Sequence, residues 1–374
     1  MANTAAVFHT FCEPPLRPLA RELELLEAHP CTVYALSARL DGFESGLPVV
    51  FGHNQTCAIP KLPVTHPAGR LRRSFWRHFA RAGHELVIAP SGPEALTALP
   101  MAQFFNLPLV CFLSGADLTW LFRPDGPDPA ARRYAARKGE LFAGVTRFVV
   151  PCPSFYELLS ECGCPREKIQ LHVSGLALEP PPPVPQNRRP VILLPVPPAP
   201  VGGLDIALTA FELLHGSAHE AQLWILADEA QRTALCSRID ASPARGDLFL
   251  VAEADAEDAW NRSDLVLWPP VVSPGFFFDA HGRAILEASA RGKPVVATCH
   301  AGAADRVAAD VTGLLIPERD AVAMADALAR LLGDPDLRAE LGRAGRAKME
   351  LEYALPVTTA RLEKIFSGVV AKSG

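Results

Sequence analysis

Two acidic residues flank a glycine in the last third of the chain. Asp279 and Glu287 are separated by seven residues, and Gly282 lies between them. A carboxylate one turn inside a helix can accept hydrogen bonds from both hydroxyls of a ribose, which suits Glu287. A glycine lets the backbone approach a ligand, and the amide groups of a helix that begins there bind phosphate oxygens. These residue types suit a ligand that carries hydroxyl and phosphate groups, although an acidic pair at this spacing also occurs by chance in many chains.

Two further pairs of residues follow apolar runs, one pair polar and the other pair both glycine. Ser114 and Asp117 come after the apolar run Leu107–Leu113, while Gly202 and Gly203 follow a predicted strand in the second half. Ser114 and Asp117 either face a ligand or form the end of a strand and the cap of a helix. The two glycines form either a phosphate cradle or a plain loop. The residues alone leave both alternatives open.

The elements that would position these residues alternate between strand and helix. Near the start, the apolar runs Ala5–Phe11 and Thr32–Leu36 enclose the helical stretch Leu16–Glu27, and a further helix is predicted around residues 130–142. The alternation restarts after a segment rich in proline, residues 179–200, which predicts a stiff linker. Such alternation is typical of a parallel sheet covered by helices on both faces.

The length of the chain predicts more than one domain. At 374 residues it exceeds the size at which a single hydrophobic core keeps growing. We therefore predict two doubly wound α/β domains, residues 1–182 and 183–352, followed by a C-terminal helix within residues 353–374.

Composition excludes several classes of protein. The net charge of -5 argues against nucleic acid as a partner. The nine cysteines are scattered, and a Cys-x-Cys pair at Cys162 and Cys164 without a second pair is poor evidence for a metal site. Residues 1–7 lack the features of a signal peptide, and no apolar run approaches the ~18 residues that span a bilayer. We expect a cytoplasmic protein without a metal site.

A basic stretch with interleaved aromatic residues runs from Arg70 to Arg81. Arg73, Arg77 and Arg81 recur at four-residue spacing, with Phe75, Trp76 and Phe79 on neighbouring faces. Such a stretch either contacts an anionic membrane surface or is a solvated helix whose aromatic side chains pack on the core. The sequence favours neither, so peripheral membrane association stays open.

The residues around the acidic pair also carry a family pattern. The segment from Asp279 to Glu287 is followed by Gly292-Lys-Pro-Val-Val and by Thr312-Gly-Leu-Leu. It resembles the C-terminal domain of the retaining glycosyltransferases of the GT4 type, and residues 148–175 resemble the end of their first domain. The resemblance implies the GT-B fold, in which two Rossmann-like domains face each other across a cleft and the C-terminal helix crosses back to the first.

The resemblance also implies an activity and a set of site residues. It implies transfer of a sugar from a nucleotide-diphosphate donor, with retention, to a lipid-linked or polysaccharide acceptor in surface glycan synthesis. No further cofactor is expected, because the nucleotide sugar is the donor substrate. Glu287 would bind the ribose, and Asp279, Ser114 and Asp117 would form the catalytic set. The remaining donor-binding residues implied are Gly282, His281, Arg283, Gly202 and Gly203.

The chain departs from the family pattern at three places. Gly202 and Pro197 stand where the family has a Lys and an Arg on the donor diphosphate, and Ser114 replaces a histidine. The glycine-rich loop after the first strand is replaced by Cys-Glu-Pro-Pro at residues 12–15. Removal of one hydrogen-bond donor that stabilises the charge developing in the transition state typically slows a reaction by ~10²- to 10³-fold. Three cationic residues of other loops remain as candidates to neutralise the diphosphate: Arg283, Lys293 and Arg306.

These departures keep a second function open. A catalytically degenerate GT-B protein would use the same body to bind a glycan, a nucleotide or a partner enzyme. A sugar-nucleotide epimerase of similar architecture is disfavoured, because its catalytic carboxylates and histidine have no clear match.

Overall fold

The computed structural model of the chain describes residues 3–11, 17–38, 47, 49–51, 79–122, 128–196, 203–216, 220–271 and 282–372. The chain forms two compact units. The first comprises Met1–Gly175 and Leu355–Gly374, and the second comprises Leu176–Ala354. The chain therefore passes from the first unit to the second after Gly175, before the proline run, whereas the sequence predicts this boundary between residues 182 and 183.

The sheet of the first unit is parallel. Its strands are β1 (Thr4–Phe11), β2 (Cys31–Ala38), β3 (Val49–Phe51), β4 (Leu86–Ala89), β5 (Leu109–Phe112), β6 (Arg147–Val150) and β7 (Ile169–Leu171). They are ordered β3-β2-β1-β4-β5-β6-β7. The chain thus winds outward from β1 in one direction and from β4 in the other, which is the doubly wound, Rossmann-like arrangement.

Helices connect these strands. They are α1 (Arg17–Glu24), α2 (Gly92–Phe104), α3 (Gly115–Phe122), α4 (Pro129–Ala136), α5 (Lys138–Gly144) and α6 (Pro153–Glu161). Helix α2 begins where the Ser91 side chain accepts from the amide of Glu94, and α4 begins where Asp128 accepts from the amide of Ala130. Both helices carry proline in the first turn, where its missing N–H costs nothing.

The second unit repeats the same architecture. Its strands are β8 (Val191–Pro195), β9 (Gln222–Leu226), β10 (Leu248–Val251), β11 (Leu265–Trp268), β12 (Val295–Thr298) and β13 (Gly313–Ile316). They form a parallel sheet in the order β10-β9-β8-β11-β12-β13. The helices of this unit are α7 (Leu204–His215), α8 (Glu229–Asp240), α9 (Ala256–Arg262), α10 (Arg283–Ala290), α11 (Ala301–Arg306), α12 (Ala321–Gly333) and α13 (Pro335–Lys348).

The last helix of the chain, α14 (Leu355–Val370), belongs to the first unit. Its buried face, including Leu362 and Phe366, packs with Leu19 and Leu23 of α1 in one hydrophobic cluster. The Glu363 carboxylate accepts hydrogen bonds from the amides of residues 27 and 28 at 2.6 and 2.9 Å. The helix therefore completes the core of the N-terminal unit, although it lies about 180 residues beyond that unit's other part.

Candidate functional site

Two glycine-led helices begin at neighbouring strands of the second sheet. Gly203 and α7 follow β8 along the chain, and Gly282 and α10 follow β11. Strands β8 and β11 are paired in the sheet. Since the carboxyl ends of parallel strands meet at one edge, both helices begin at the edge where open α/β sheets bind ligands.

Gly203 is required by a close approach of two backbones. Its φ is 114°, and a β-carbon on it would lie 1.8 Å from the carbonyl oxygen of Pro269, directly after β11. The next residue of that loop, Pro270, accepts a hydrogen bond of 2.6 Å from the buried hydroxyl of Thr298. The residues after β11 are therefore held between the start of α7 and the end of β12.

Gly282 has a similarly restricted position at the start of α10. Its φ is 58°, and a β-carbon would lie 2.9 Å from Cγ of Arg306 and 3.3 Å from the carbonyl oxygen of Gly302. Within the described part of the chain, no side chain caps α7 or α10. The first turn of a helix presents amide groups that bind anions, and the resemblance implied this role for the starts of α7 and α10.

Glu287 lies on α10, one turn inside the helix, with 28% of its side chain exposed. Its Oε2 accepts a hydrogen bond of 2.7 Å from Nη1 of Arg291, and Nη2 of Arg283 lies 3.5 Å from its Oε1. A carboxylate that is partly exposed at the edge of the sheet, with cations on both sides, fits a ligand that carries hydroxyls and phosphate.

Not all predicted donor-site residues can be placed. Asp279, His281 and Gly202 lie outside the described residues. Their roles stay predictions, as do those of Glu287, Gly282, Arg283 and Gly203.

Two other cationic residues were candidates from the sequence, Lys293 and Arg306. Lys293 lies at the amino edge of the sheet, opposite the carboxyl edge where α7 and α10 begin. It precedes β12, and its ammonium donates to the carbonyl oxygen of Asn261 at 2.9 Å, next to the start of β11. The side chain is buried, and burial lowers the pKa of Lys293 to about 8. Lys293 therefore does not reach the carboxyl edge of the sheet.

Arg306 is buried at the end of α11, beside Gly282. Its guanidinium stacks over the ring of Tyr353 at 5.2 Å, and Nη1 lies 3.3 Å from the tyrosine hydroxyl. The guanidinium of Arg306 thus contacts Tyr353, whereas that of Arg283 lies 3.5 Å from the Glu287 carboxylate.

In the first unit, Ser114 and Asp117 lie together at the end of β5. Asp117 is 2% exposed. Its Oδ1 accepts from the amide of Gly92 at 2.9 Å, and its Oδ2 accepts from the amide and the hydroxyl of Ser114 at 2.7 and 2.8 Å. Burial raises the pKa of Asp117, although these hydrogen bonds oppose the shift.

This geometry gives Asp117 a structural role in addition to the predicted one. Both carboxylate oxygens are used to join the start of α2, at Gly92, to the start of α3. The half-buried Ser114 is thus the group of this pair with more access to solvent, and its hydroxyl is oriented by Asp117. A catalytic role for either residue stays a prediction.

The described part of the chain contains neither a candidate metal cluster nor a candidate membrane span. Among those residues, no group of three or more His, Cys, Asp or Glu side chains has the geometry of a metal site. No described helix has both the length and the apolar character needed to cross a membrane.

The fold of the chain has counterparts among solved structures. The structure of Anabaena Alr3699/HepE in complex with UDP superposes with a TM-score of 0.77, covering 98% of this chain and 100% of that one, at 14% identity. A likeness at this identity shows the fold alone. The protein has the GT-B fold, built from two Rossmann-like units.

The sequence then assigns the family. Residues 13–175 match the model of a glycosyl transferase 4-like domain, and residues 186–348 match that of glycosyl transferases group 1. The chain belongs to the GT4-type glycosyltransferases.

Curated relatives match only parts of the chain. A putative colanic acid biosynthesis glycosyltransferase, WcaL of Escherichia coli (strain K12), is 28% identical over 56% of this chain and 54% of its own. A GDP-mannose-dependent monoacylated alpha-(1-6)-phosphatidylinositol monomannoside mannosyltransferase of Corynebacterium glutamicum is 38% identical over 26% of each chain. The matches thus span about half or less of these relatives.

Proposed function

We propose that the protein transfers a sugar from a nucleotide-diphosphate donor, with retention, to a lipid-linked or polysaccharide acceptor. The observation that supports the proposal is that two helices follow neighbouring strands of one sheet, each from a glycine, and that one of them carries Glu287. The loops of Gly203 and Pro269 touch, Gly282 begins α10, and Glu287 follows one turn later. This combination supplies amide groups for phosphate and a carboxylate for ribose.

Each part of the donor then has a partner on the second unit. The ribose hydroxyls donate to Glu287, and the diphosphate lies against the first amides of α10 and α7, with Arg283 supplying positive charge. Asp279 and His281, which precede Gly282 in the sequence, are proposed to face the sugar. Arg283 lies at the first position of α10, where the partial positive charge of the helix adds to its own. It thereby offsets part of the charge lost with the family's Lys and Arg.

The acceptor would bind at the first unit, where Ser114 lies at the carboxyl edge of the sheet. The relatives' names support the acceptor class, since WcaL is named for colanic acid biosynthesis and the Corynebacterium enzyme acts on a phosphatidylinositol mannoside. Ser114 can donate or accept one hydrogen bond to an acceptor hydroxyl, but it cannot act as a base near neutral pH.

A lipid acceptor would be reached through contact with a membrane surface. The side chain of Phe79 packs on Phe105, at 5.1 Å between ring centroids, and the adjacent Phe104 is 74% exposed. The arginine-rich residues 70–78 precede Phe79 directly and lie outside the described residues. We propose that the basic and aromatic residues of the stretch Arg70–Arg81, together with the exposed Phe104, contact anionic lipid. Co-sedimentation with vesicles rich in phosphatidylglycerol, reduced for Phe104→Ser and absent with phosphatidylcholine alone, tests it.

Direct donor binding tests the main proposal. Calorimetry of the full chain against UDP-, GDP-, ADP- and TDP-sugars should show saturable binding of one donor, which Glu287→Ala abolishes. Glu340→Ala, which removes an exposed carboxylate on α13, is the matched control and should bind normally. A folded protein that binds no donor at millimolar concentration contradicts the proposal.

The loss of the diphosphate Lys and Arg favours a second function, that of a binding protein without transfer. It predicts that a donor or glycan binds while no nucleoside diphosphate is released, even with a lipid extract as acceptor. Release that depends on acceptor and on Glu287 supports the transferase instead.

A further inference from the structure

Arg291 joins two carboxylates at the end of α10. Its Nη1 donates to Oε2 of Glu287 at 2.7 Å and to the backbone carbonyl of the same residue at 3.2 Å. Its Nη2 donates to both carboxylate oxygens of Glu257, at 3.0 and 2.8 Å. The planar guanidinium thus uses one nitrogen for each partner, which a lysine cannot reproduce.

An aromatic ring supports this guanidinium. Its central carbon lies 5.5 Å from the ring centroid of Trp260 on α9, within the range of a cation–π contact. Trp260 itself packs against the buried cluster that contains Ile285 and Val266. Only 17% of the Arg291 side chain is exposed, compared with 71% for Glu257. The guanidinium is therefore held from the core side, and the contact with Glu287 is the shielded one of the two.

The contact with Arg291 fixes the orientation of the Glu287 carboxylate. Since Oε2 accepts the hydrogen bond from Arg291, rotation of the carboxylate is restricted, and Oε1 is left on the side of Arg283, at 3.5 Å. We propose that Arg291 is a positioning residue, which fixes Glu287 so that its Oε1 accepts a ribose hydroxyl. This inference rests on the proposed donor site.

The proposal makes a prediction about the sugar of the nucleotide. Hydrogen bonds to charged groups discriminate by about 10- to 100-fold, so the wild-type protein should bind a ribonucleotide that much more tightly than its 2′-deoxy form. The probes are UDP, GDP and ADP with their 2′-deoxy counterparts, titrated by calorimetry into the full chain. In Arg291→Met, which keeps the apolar stem on Trp260, the ratio should fall toward one, while affinity for the deoxynucleotide stays unchanged.

Two further variants complete the test. Arg291→Lys should restore the discrimination only in part, since an ammonium cannot bind Glu287 and Glu257 in the same fixed geometry. Glu257→Gln removes the charge of the exposed partner and should leave the ratio at the wild-type value.

The outcomes are separable. A ratio in Arg291→Met equal to that of the wild type overturns the proposal, as does an equal loss of ribo- and deoxynucleotide affinity with a lowered melting temperature, which shows a purely structural role. If the folded wild-type protein binds no nucleotide, the proposed function fails first, and this inference fails with it.

Discussion

The carbonyl oxygen of Pro269 occupies the space that a side chain on Gly203 would need, 1.8 Å from the ideal β-carbon. Alanine at 203 must therefore displace the loop after β11 as well as adopt a φ of 114°. The left-handed backbone alone costs about 1–2 kcal/mol. For Gly203→Ala we expect a melting temperature lowered by about 2–4 °C per kcal/mol and weakened nucleotide binding, measured by calorimetric scanning and titration.

Gly333→Ala is the control for this substitution. Gly333 ends α12 in the same unit, and a β-carbon on it would have no heavy atom of the described residues within 4 Å. Alanine there should be neutral or stabilising by about 0.5–1 kcal/mol. Equal stability of the two variants contradicts the close approach of Gly203 to Pro269.

Asp117→Asn tests the buried carboxylate of the first unit. An amide group accepts through one oxygen only, so its nitrogen faces the N–H of Gly92 or of Ser114, and one buried donor loses its partner. Such a loss costs about 1–3 kcal/mol in the free energy of unfolding, measured by urea denaturation at neutral pH. Asp336→Asn, on the exposed start of α13, should change stability by less than about 0.5 kcal/mol.

The unfolding free energy that Asp117 contributes should depend on pH, and Asp117→Asn tests this. Burial raises the pKa of Asp117 in the folded chain, so the folded state keeps this proton to a higher pH than the unfolded state does. The contribution of the group to stability is therefore present below about pH 3.9 and falls as pH rises through the folded pKa. The difference in unfolding free energy between wild type and Asp117→Asn should decrease over that range. A constant difference contradicts the raised pKa.

The elements of the fold could be predicted where burial is complete. All five residues of β8 are buried, so the strand is visible in the sequence as a continuous apolar run. The single helix predicted around residues 130–142 is divided at Arg137, where ψ reaches 10° between α4 and α5. Local propensity favours helix on both sides of Arg137, and only tertiary packing determines that the chain turns there.

The site could be predicted as residue types but not as contacts. The acidic pair and Gly282 follow from motif spacing, whereas sequence distance does not show at which edge of the sheet a cation lies. Lys293 accordingly proved to lie at the amino edge. Arg291, four residues after Glu287, has the spacing of a helical ion pair, which is the signal that could have identified it.

Lys293→Met tests this assignment of edges. Since Lys293 donates to Asn261 at the amino edge, the substitution should leave nucleotide affinity unchanged. Burial lowers the folded pKa to about 8, below the ordinary value of about 10.4, so the unfolded state binds more protons between these values. The unfolding free energy of the wild type should rise with pH across that window, and the variant should lack the rise. Weakened nucleotide binding in a folded variant argues against this placement.

Phe366→Ala tests the attachment of the C-terminal helix to the first unit. Phe366 is fully buried among Leu19, Leu23 and other residues of the N-terminal core, so its loss leaves a cavity. Such substitutions cost about 3–5 kcal/mol, seen as an earlier urea transition of the first unit. Phe104→Ala removes the same side chain from an exposed position, 74% accessible, and should cost well under about 1 kcal/mol. If both variants unfold alike, α14 does not complete the core of the first unit.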